Sequence, residues 1–308
     1  MTTAYITHEE CFLHDPGENH PECPRRLSVI HDALHAAQLY DHLQHHEAPL
    51  AQDNVILLAH SRKQLEFLTD NSPSEGIFQL DPDTRMSPGT LRAAHRAAGA
   101  VIHGVDVIMH GKADNAFCAV RPPGHHAERN RAMGFCFFNN VAIGALYALG
   151  HRRIERVAVL DFDAHFGNGT EQILNDDPSV LICTTFQHPL FPSRDPKQTG
   201  NRSVDVPLAA GSGSQAFRDA VMQKWRPALK AFSPDFIVVS AGFDAHADDP
   251  LTDLHFSTDD FRWVTEFIVE FAAEHAGGRV LSVLEGGYSL PALGACAAAH
   301  VKALMGLA

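Results

Sequence analysis

The stretch Val157-Ala158-Val159-Leu160-Asp161-Phe162-Asp163-Ala164-His165 decides the fold. Its first four residues form a short apolar run, the length of a strand buried on both faces. Similar runs recur at 116–120, 180–183, 236–239 and 280–284. Helical periodicity fills most gaps between them, at 139–149, 214–232 and 258–275, and a last helix is expected at 291–307. Upstream, Leu91, Ala94, Ala98, Val101, Ile102, Val105, Ile108 and Met109 form one helical stripe that Gly111 stops. Strand–helix alternation predicts an α/β fold with a mostly parallel sheet covered on both faces. The first 90 residues are less regular: 4–7 reads as an added strand, and 25–40 as a helix entered through Pro24. No repeat, low-complexity tract or Ser/Gly linker divides the chain, so residues 1–308 are read as one domain.

Composition removes several function classes. Lys and Arg number 24 against 37 Asp and Glu, a net charge of −13. Nucleic-acid binding needs a basic stripe, and docking on anionic lipid needs a basic patch. Neither partner is expected. Six scattered cysteines contain no CxxC, so free thiols are expected. The start, MTTAYITHEE, has no basic segment followed by an apolar core. No apolar run reaches the ~18 residues of a membrane span. A cytoplasmic protein is expected. Histidine is abundant, at 21 residues, and His42, His45 and His46 are read as surface groups.

Ligands of open α/β sheets bind beyond the carboxyl ends of the strands. Four strand exits carry chemistry. Arg121-Pro122-Pro123-Gly124-His125-His126 follows the first, Asp161-Phe162-Asp163-Ala164-His165 the second, Ser240-Ala241-Gly242-Phe243-Asp244 the third, and Glu285-Gly286-Gly287-Tyr288 the fourth. In an extended segment, residues two apart point the same way. Asp163 and His165 can therefore serve one ion, with Asp244 arriving from another strand. Two carboxylates and one imidazole leave a divalent ion with open positions, which suits zinc and also Fe²⁺, Co²⁺ or Mn²⁺. The plainer alternative is that Asp161 and Asp163 cap a helix starting near Gly167. His125 and His126 could move a proton beside such an ion, and Tyr288 could donate to a developing oxyanion. Gly134-Phe135-Cys136-Phe137-Phe138-Asn139-Asn140 is aromatic, and Phe135 with Phe191 could wall a narrow apolar slot. Together these point to metal-assisted hydrolysis at the end of a tunnel.

RPPGHHA, GFCFFNN, DFDAHFGNGT, SAGFDAHADDPL, LEGGY and the early HPECPRRL resemble the zinc-dependent histone deacetylase superfamily, closest to its class II-like branch. The matches run from His20 to about Leu290. The resemblance implies the arginase/deacetylase fold, a three-layer α/β/α domain around a mostly parallel sheet of about eight strands. It implies Asp163, His165 and Asp244 as zinc ligands, His126 as general base and acid, and His125 as its electrostatic partner. Tyr288 would polarise the scissile carbonyl. Phe135 and Phe191, with Gly134 and Leu251, would line the tunnel. Asp161 would partner His125 and join a potassium site with Thr184 and Thr185, and Arg26 would face an inner channel. Two positions depart from many relatives. Phe166 replaces a second histidine, and Asn168 stands where some branches carry an aspartate.

The activity implied is hydrolysis of N-acetyl-lysine, or of a related N-acyl amine, to acetate and free amine. An acetylpolyamine amidohydrolase is the main alternative. Leu251 after Asp249-Pro250, where polyamine-selective relatives place an acid, tilts away from it. Asp15, Asp81 and Asp83 are candidates for the rim. Asp244-Ala245-His246-Ala247-Asp248 also imitates a binuclear manganese ureohydrolase motif, and a catalytically silent binder of acyl ligands is the non-enzyme reading. Homo-oligomerisation stays open.

Overall fold

The computed structural model describes residues 1–193 and 202–307. Ten strands lie among the described residues: β1 (Thr3–Thr7), β2 (Gln44–Glu47), β3 (Phe78–Gln79), β4 (Arg85–Met86), β5 (Asn115–Cys118), β6 (Val157–Asp161), β7 (Val180–Gln187), β8 (Ser203–Leu208), β9 (Phe236–Ala241) and β10 (Val280–Leu284). Eight of them form one sheet in the order β2-β1-β5-β10-β9-β6-β7-β8, and β3 pairs with β4 in a small separate ribbon. Every neighbour in the large sheet is parallel. The expected runs fall on β5, β6, β7, β9 and β10, whose residues are all buried. Strands covered on both sides read as unbroken apolar runs, which is why they were visible in the sequence.

Helices cover both faces, as strand alternation requires. A Cβ on Gly104, in helix Thr90–Met109, would meet Leu281, Ile6 and Ala116; one on Gly144, in helix Asn140–Leu149, would again meet Leu281. The next residue along each strand faces the other way. His300, in helix Leu290–Leu304, stacks edge-on to Phe117 at 5.4 Å and contacts Ser282 Oγ at 2.7 Å. Helices Thr258–His275 and Arg25–Ala36 pack beside it on that face.

The sequence reading differs from this fold in its polar parts. β2 is Gln-His-His-Glu and β8 carries Asp205 and Pro207. Both are sheet edges, where charge and proline are tolerated. His45 and His46 therefore lie in an edge strand; His42 and His45 are exposed but His46 is half-buried. Helices Asp53–Ala59 and Arg62–Asp70 were not anticipated. The helix expected at 25–40 ends at Ala36. No helix among the described residues is long and apolar enough to cross a membrane.

One charged cluster fastens the irregular N-terminal segment to the sheet. Glu22 is fully buried and accepts from both Nε and Nη2 of Arg121, from Arg26 Nη1 at 3.1 Å and contacts His14 Nε2 at 3.1 Å. Arg26 Nε in turn donates to Gly287 O at 2.8 Å, and its guanidinium lies 5.1 Å from the Tyr288 ring centre. Burial would raise the Glu22 pKa, but Arg121 and His14 outweigh it and hold the carboxyl well below its ordinary range. Glu22→Gln would leave Arg26 and Arg121 buried without their counter-ion. Denaturant unfolding is expected to show a loss of roughly 3–5 kcal/mol.

Candidate active site

β5, β10, β9 and β6 lie side by side in the middle of the sheet. The four exits identified from sequence are thus consecutive in space. Asp163, His165 and Asp244 meet there, with one ligand atom from each lying within 4.8 Å of the others. His165 Nδ1 is 3.1 Å from Asp163 Oδ1 and 2.9 Å from Asp244 Oδ2. Helix Asn168–Leu174 starts without a side-chain cap, so Asp161 and Asp163 do not cap it.

The backbone is shaped around these carboxylates. Gly286 N donates to Asp163 Oδ2 at 2.8 Å, and Ala164 N to Asp244 Oδ1 at 2.8 Å. A Cβ on Gly242 would fall 2.1 Å from Asp163 Oδ2, and one on Gly286 2.2 Å from Asp244 Oδ2. Only hydrogen fits at either position. Burial raises Asp244 to about 7, with Asp163 adding to the shift. Burial would depress His165, yet Asp244 and Asp163 lift it to about 10. The cluster is thus built to hold positive charge, and without a metal it must take up protons. A divalent cation fits this donor set.

The paired histidines differ in charge. His125 Nδ1 lies 3.0 Å from Asp161 Oδ2. Burial would lower it, but Asp163 and Asp161 raise it to about 10, so His125 is protonated. His126 is pushed well below its ordinary pKa by burial, then by His125 and His165. Its Nδ1 meets Asn168 Oδ1 at 2.8 Å, while Asn168 Nδ2 donates to Glu128 Oε1 at 2.9 Å. The amide therefore faces its oxygen to the ring, and His126 carries its proton on Nδ1, leaving Nε2 free to accept.

His126, His165 and Tyr288 share the wall of a cavity of about 560 Å³ with Gly134, Phe135, Phe191 and Leu251. All four expected tunnel residues are thus brought together with the cluster. Phe191 stands 5.1 Å from His126, edge-on, and Phe135 lies 5.8 Å from Tyr288. Phe135 adopts φ 68°, a strained value for an L-residue, and its N–H is held by Thr84 Oγ1 at 3.1 Å. Burial keeps the Tyr288 phenol well above its usual pKa, so it is a donor at neutral pH. Asp83 lines the cavity; Asp15 and Asp81 do not, and Glu18, unforeseen, does. Arg26 is consumed by Glu22 and backbone carbonyls, and does not line this cavity. Phe166 packs on Phe186 at 4.8 Å. Thr184 pairs with Asp161 across β6 and β7, but Thr185, one residue on, faces the opposite side of the sheet.

A histone deacetylase domain model matches residues 20–304. The chain belongs to the histone deacetylase family. A histone deacetylase-like amidohydrolase of Pseudomonas aeruginosa is 36% identical over 329 residues, covering 99% of this chain and 86% of that protein. A probable deacetylase of Archaeoglobus fulgidus is 34% identical over 94% of this chain and 82% of its own length. The crystal structure of the HDA15 HD domain superposes with a TM-score of 0.94 at 32% identity, covering 100% of this chain and 89% of that one. The fold is that of the histone deacetylases, and the activity is hydrolytic deacetylation. The family works with a metal ion, and the Asp163–His165–Asp244 cluster is where this chain can hold one.

Several supporting residues of this site escaped the sequence reading. Glu285 Oε2 accepts from Gly124 N at 2.7 Å and His125 N at 3.0 Å, fixing the His-His turn. Asp249 accepts from Tyr288 N at 2.7 Å and Leu251 N at 3.0 Å, tying two cavity walls together. Asn139 caps helix Asn140–Leu149 and donates to Ala127 O at 3.2 Å. All three lay inside quoted motifs, but their partners are remote in sequence.

Two outcomes follow from the cluster. Gly286→Ala is expected to push the carboxylates apart and abolish retention of a divalent ion, read by metal analysis of protein with wild-type far-UV dichroism. Since His165 and Asp244 are protonated or near it at neutral pH, ion binding must release protons. Calorimetric affinity should therefore rise as pH increases from 6 to 8, with proton release detected by buffers of different ionisation enthalpy.

Proposed function

We propose that residues 1–308 act as one catalytic domain, a zinc-dependent deacetylase of N-acetyl-lysine or a related small N-acyl amine. The observation that carries this reading is the convergence of the Asp163–His165–Asp244 cluster, a neutral His126 and Tyr288 on one cavity. Asp163, His165 and Asp244 would hold the zinc. Bound there, the ion would supply Lewis acidity to the substrate carbonyl and acidity to water.

The chain's own groups do the rest. Phe135 and Phe191 admit an unbranched aliphatic stem and exclude bulk water. His126 accepts at Nε2 the proton of the water that attacks the carbonyl carbon. Asn168 keeps the other ring nitrogen protonated, and Glu128 keeps the Asn168 amide turned. His125, held positive by Asp161, opposes a second positive charge on His126 and so favours return of the proton. The Tyr288 phenol donates to the oxyanion as the carbonyl becomes tetrahedral. His126 then delivers its proton to the leaving nitrogen, giving acetate and a free amine.

A structural potassium ion near Asp161 is part of the proposal. Thr184 Oγ1 is buried without a partner beside that carboxylate, which supports it. Thr185, facing away, would contribute only through its backbone. The ureohydrolase alternative finds no support: His246 turns back onto Asp248 N at 3.1 Å, and neither joins a metal-holding group among the described residues.

Substrate choice between acyl-lysine and polyamine stays within the proposal. A polyamine deacetylase of Mus musculus is 32% identical over 99% of this chain, though that covers only 48% of its length. Acetate release from acetyl-lysine peptides and N-acetylated polyamines tests the reading directly. Tyr288→Phe should lower kcat by ~10²–10³ with zinc content unchanged. Asp163→Ala should lose the zinc itself. Wild-type turnover in the Phe variant would remove the phenol from the mechanism.

A further inference from the structure

Arg85 lies in the small β3–β4 ribbon, opposite Gln79. Arg85 lines the same cavity as His126, His165 and Tyr288. Its Nε is buried and meets no hydrogen-bond partner, and no carboxylate among the described residues pairs with it. Glu18 and Asp83 share this wall but remain exposed, without taking the guanidinium. Buried donors in folded proteins are nearly always satisfied, so the unsatisfied Nε marks a guanidinium with no acceptor of its own among the described residues, and a substrate acceptor in the cavity can take it. The chain's net charge of −13 makes an uncommitted cation there more telling. A planar guanidinium matches a carboxylate in bidentate fashion. No lysine and no second arginine lines the cavity among the described residues, which suits a single negative charge rather than a phosphate dianion.

We propose that Arg85 binds a free carboxylate at the end of the substrate remote from the scissile amide. The preferred substrates are then Nε-acyl-lysines with an unblocked α-carboxylate, either the amino acid itself or a peptide ending in it. This rests on the deacetylase reading of the cavity. The acyl group sits at the metal-holding cluster, the aliphatic stem passes Phe135 and Phe191, and the head group reaches the ribbon. There Glu18 suits the α-ammonium of the free amino acid, and Arg85 takes the carboxylate. A polyamine head offers Arg85 only a second positive charge.

N-acetylcadaverine supplies the control, being Nε-acetyl-lysine without its carboxylate. With zinc-loaded enzyme, kcat/KM should favour Nε-acetyl-lysine over N-acetylcadaverine by about tenfold or more, chiefly through KM. A peptide ending in acetyl-lysine should likewise exceed its C-terminal amide, and the better of the two carboxylates identifies the source. In Arg85→Met both ratios should fall to near one; Arg85→Lys should restore part of them. Equal wild-type ratios, or a preference that survives in Arg85→Met, would overturn the inference while leaving the deacetylase reading intact. If no amide is cleaved, that reading fails. Calorimetric binding of the same two small molecules to zinc-loaded wild type and Arg85→Met then decides the role of Arg85 alone.

Discussion

Four buried carboxylates crowd one end of a parallel sheet, and the rest of the site answers to that crowding. Asp161, Asp163, Asp244 and Glu285 all lie at the exits of β6, β9 and β10. None could remain ionised in an apolar interior without compensation. Backbone N–H groups supply part of it: Asp163 N serves Asp161, Gly286 N serves Asp163, Ala164 N serves Asp244, and Gly124 N serves Glu285. Imidazoles supply more. The charge left over explains why a cation belongs between Asp163 and Asp244, while Gly242 and Gly286 leave the two carboxylates the room a Cβ would take.

The same carboxylates divide two adjacent histidines into different roles. His125 lies against Asp161 and is held positive. That charge, together with burial, keeps His126 neutral, and Asn168 provides a dipole rather than a counter-charge. Neighbouring titratable groups pushed apart in pKa are the usual foundation of acid–base chemistry at neutral pH. The proposed mechanism uses that difference directly: one ring stays charged while the other cycles its proton.

Charge also organises the mouth. The N-terminal segment is anchored by Glu22 to Arg121 and Arg26, and Arg26 reaches the backbone that carries Tyr288. Phe135 sits between His20 of that segment and Tyr288, with ring centres 4.8 and 5.8 Å away. The rim is therefore assembled from the least regular part of the chain, yet it is fixed by buried ion pairs instead of loop mobility. Arg85 stands apart because no carboxylate among the described residues pairs with it.

The sequence by itself determined the central strands, the helices between them and the identity of the residues at four strand exits. Apolar runs report burial on both faces, and alternation dictates that Asp163 and His165 point the same way. It also determined the family, through motifs whose order runs the length of the chain. The polar edges β2 and β8 were not legible, because an edge strand is not obliged to be apolar. Only the tertiary structure decided that the four exits are neighbours, that His125 is charged while His126 is not, and that Glu285 and Asp249 brace the site from across the fold. These depend on contacts between residues as far apart as Gly124 and Glu285, and on burial, neither of which a local pattern encodes.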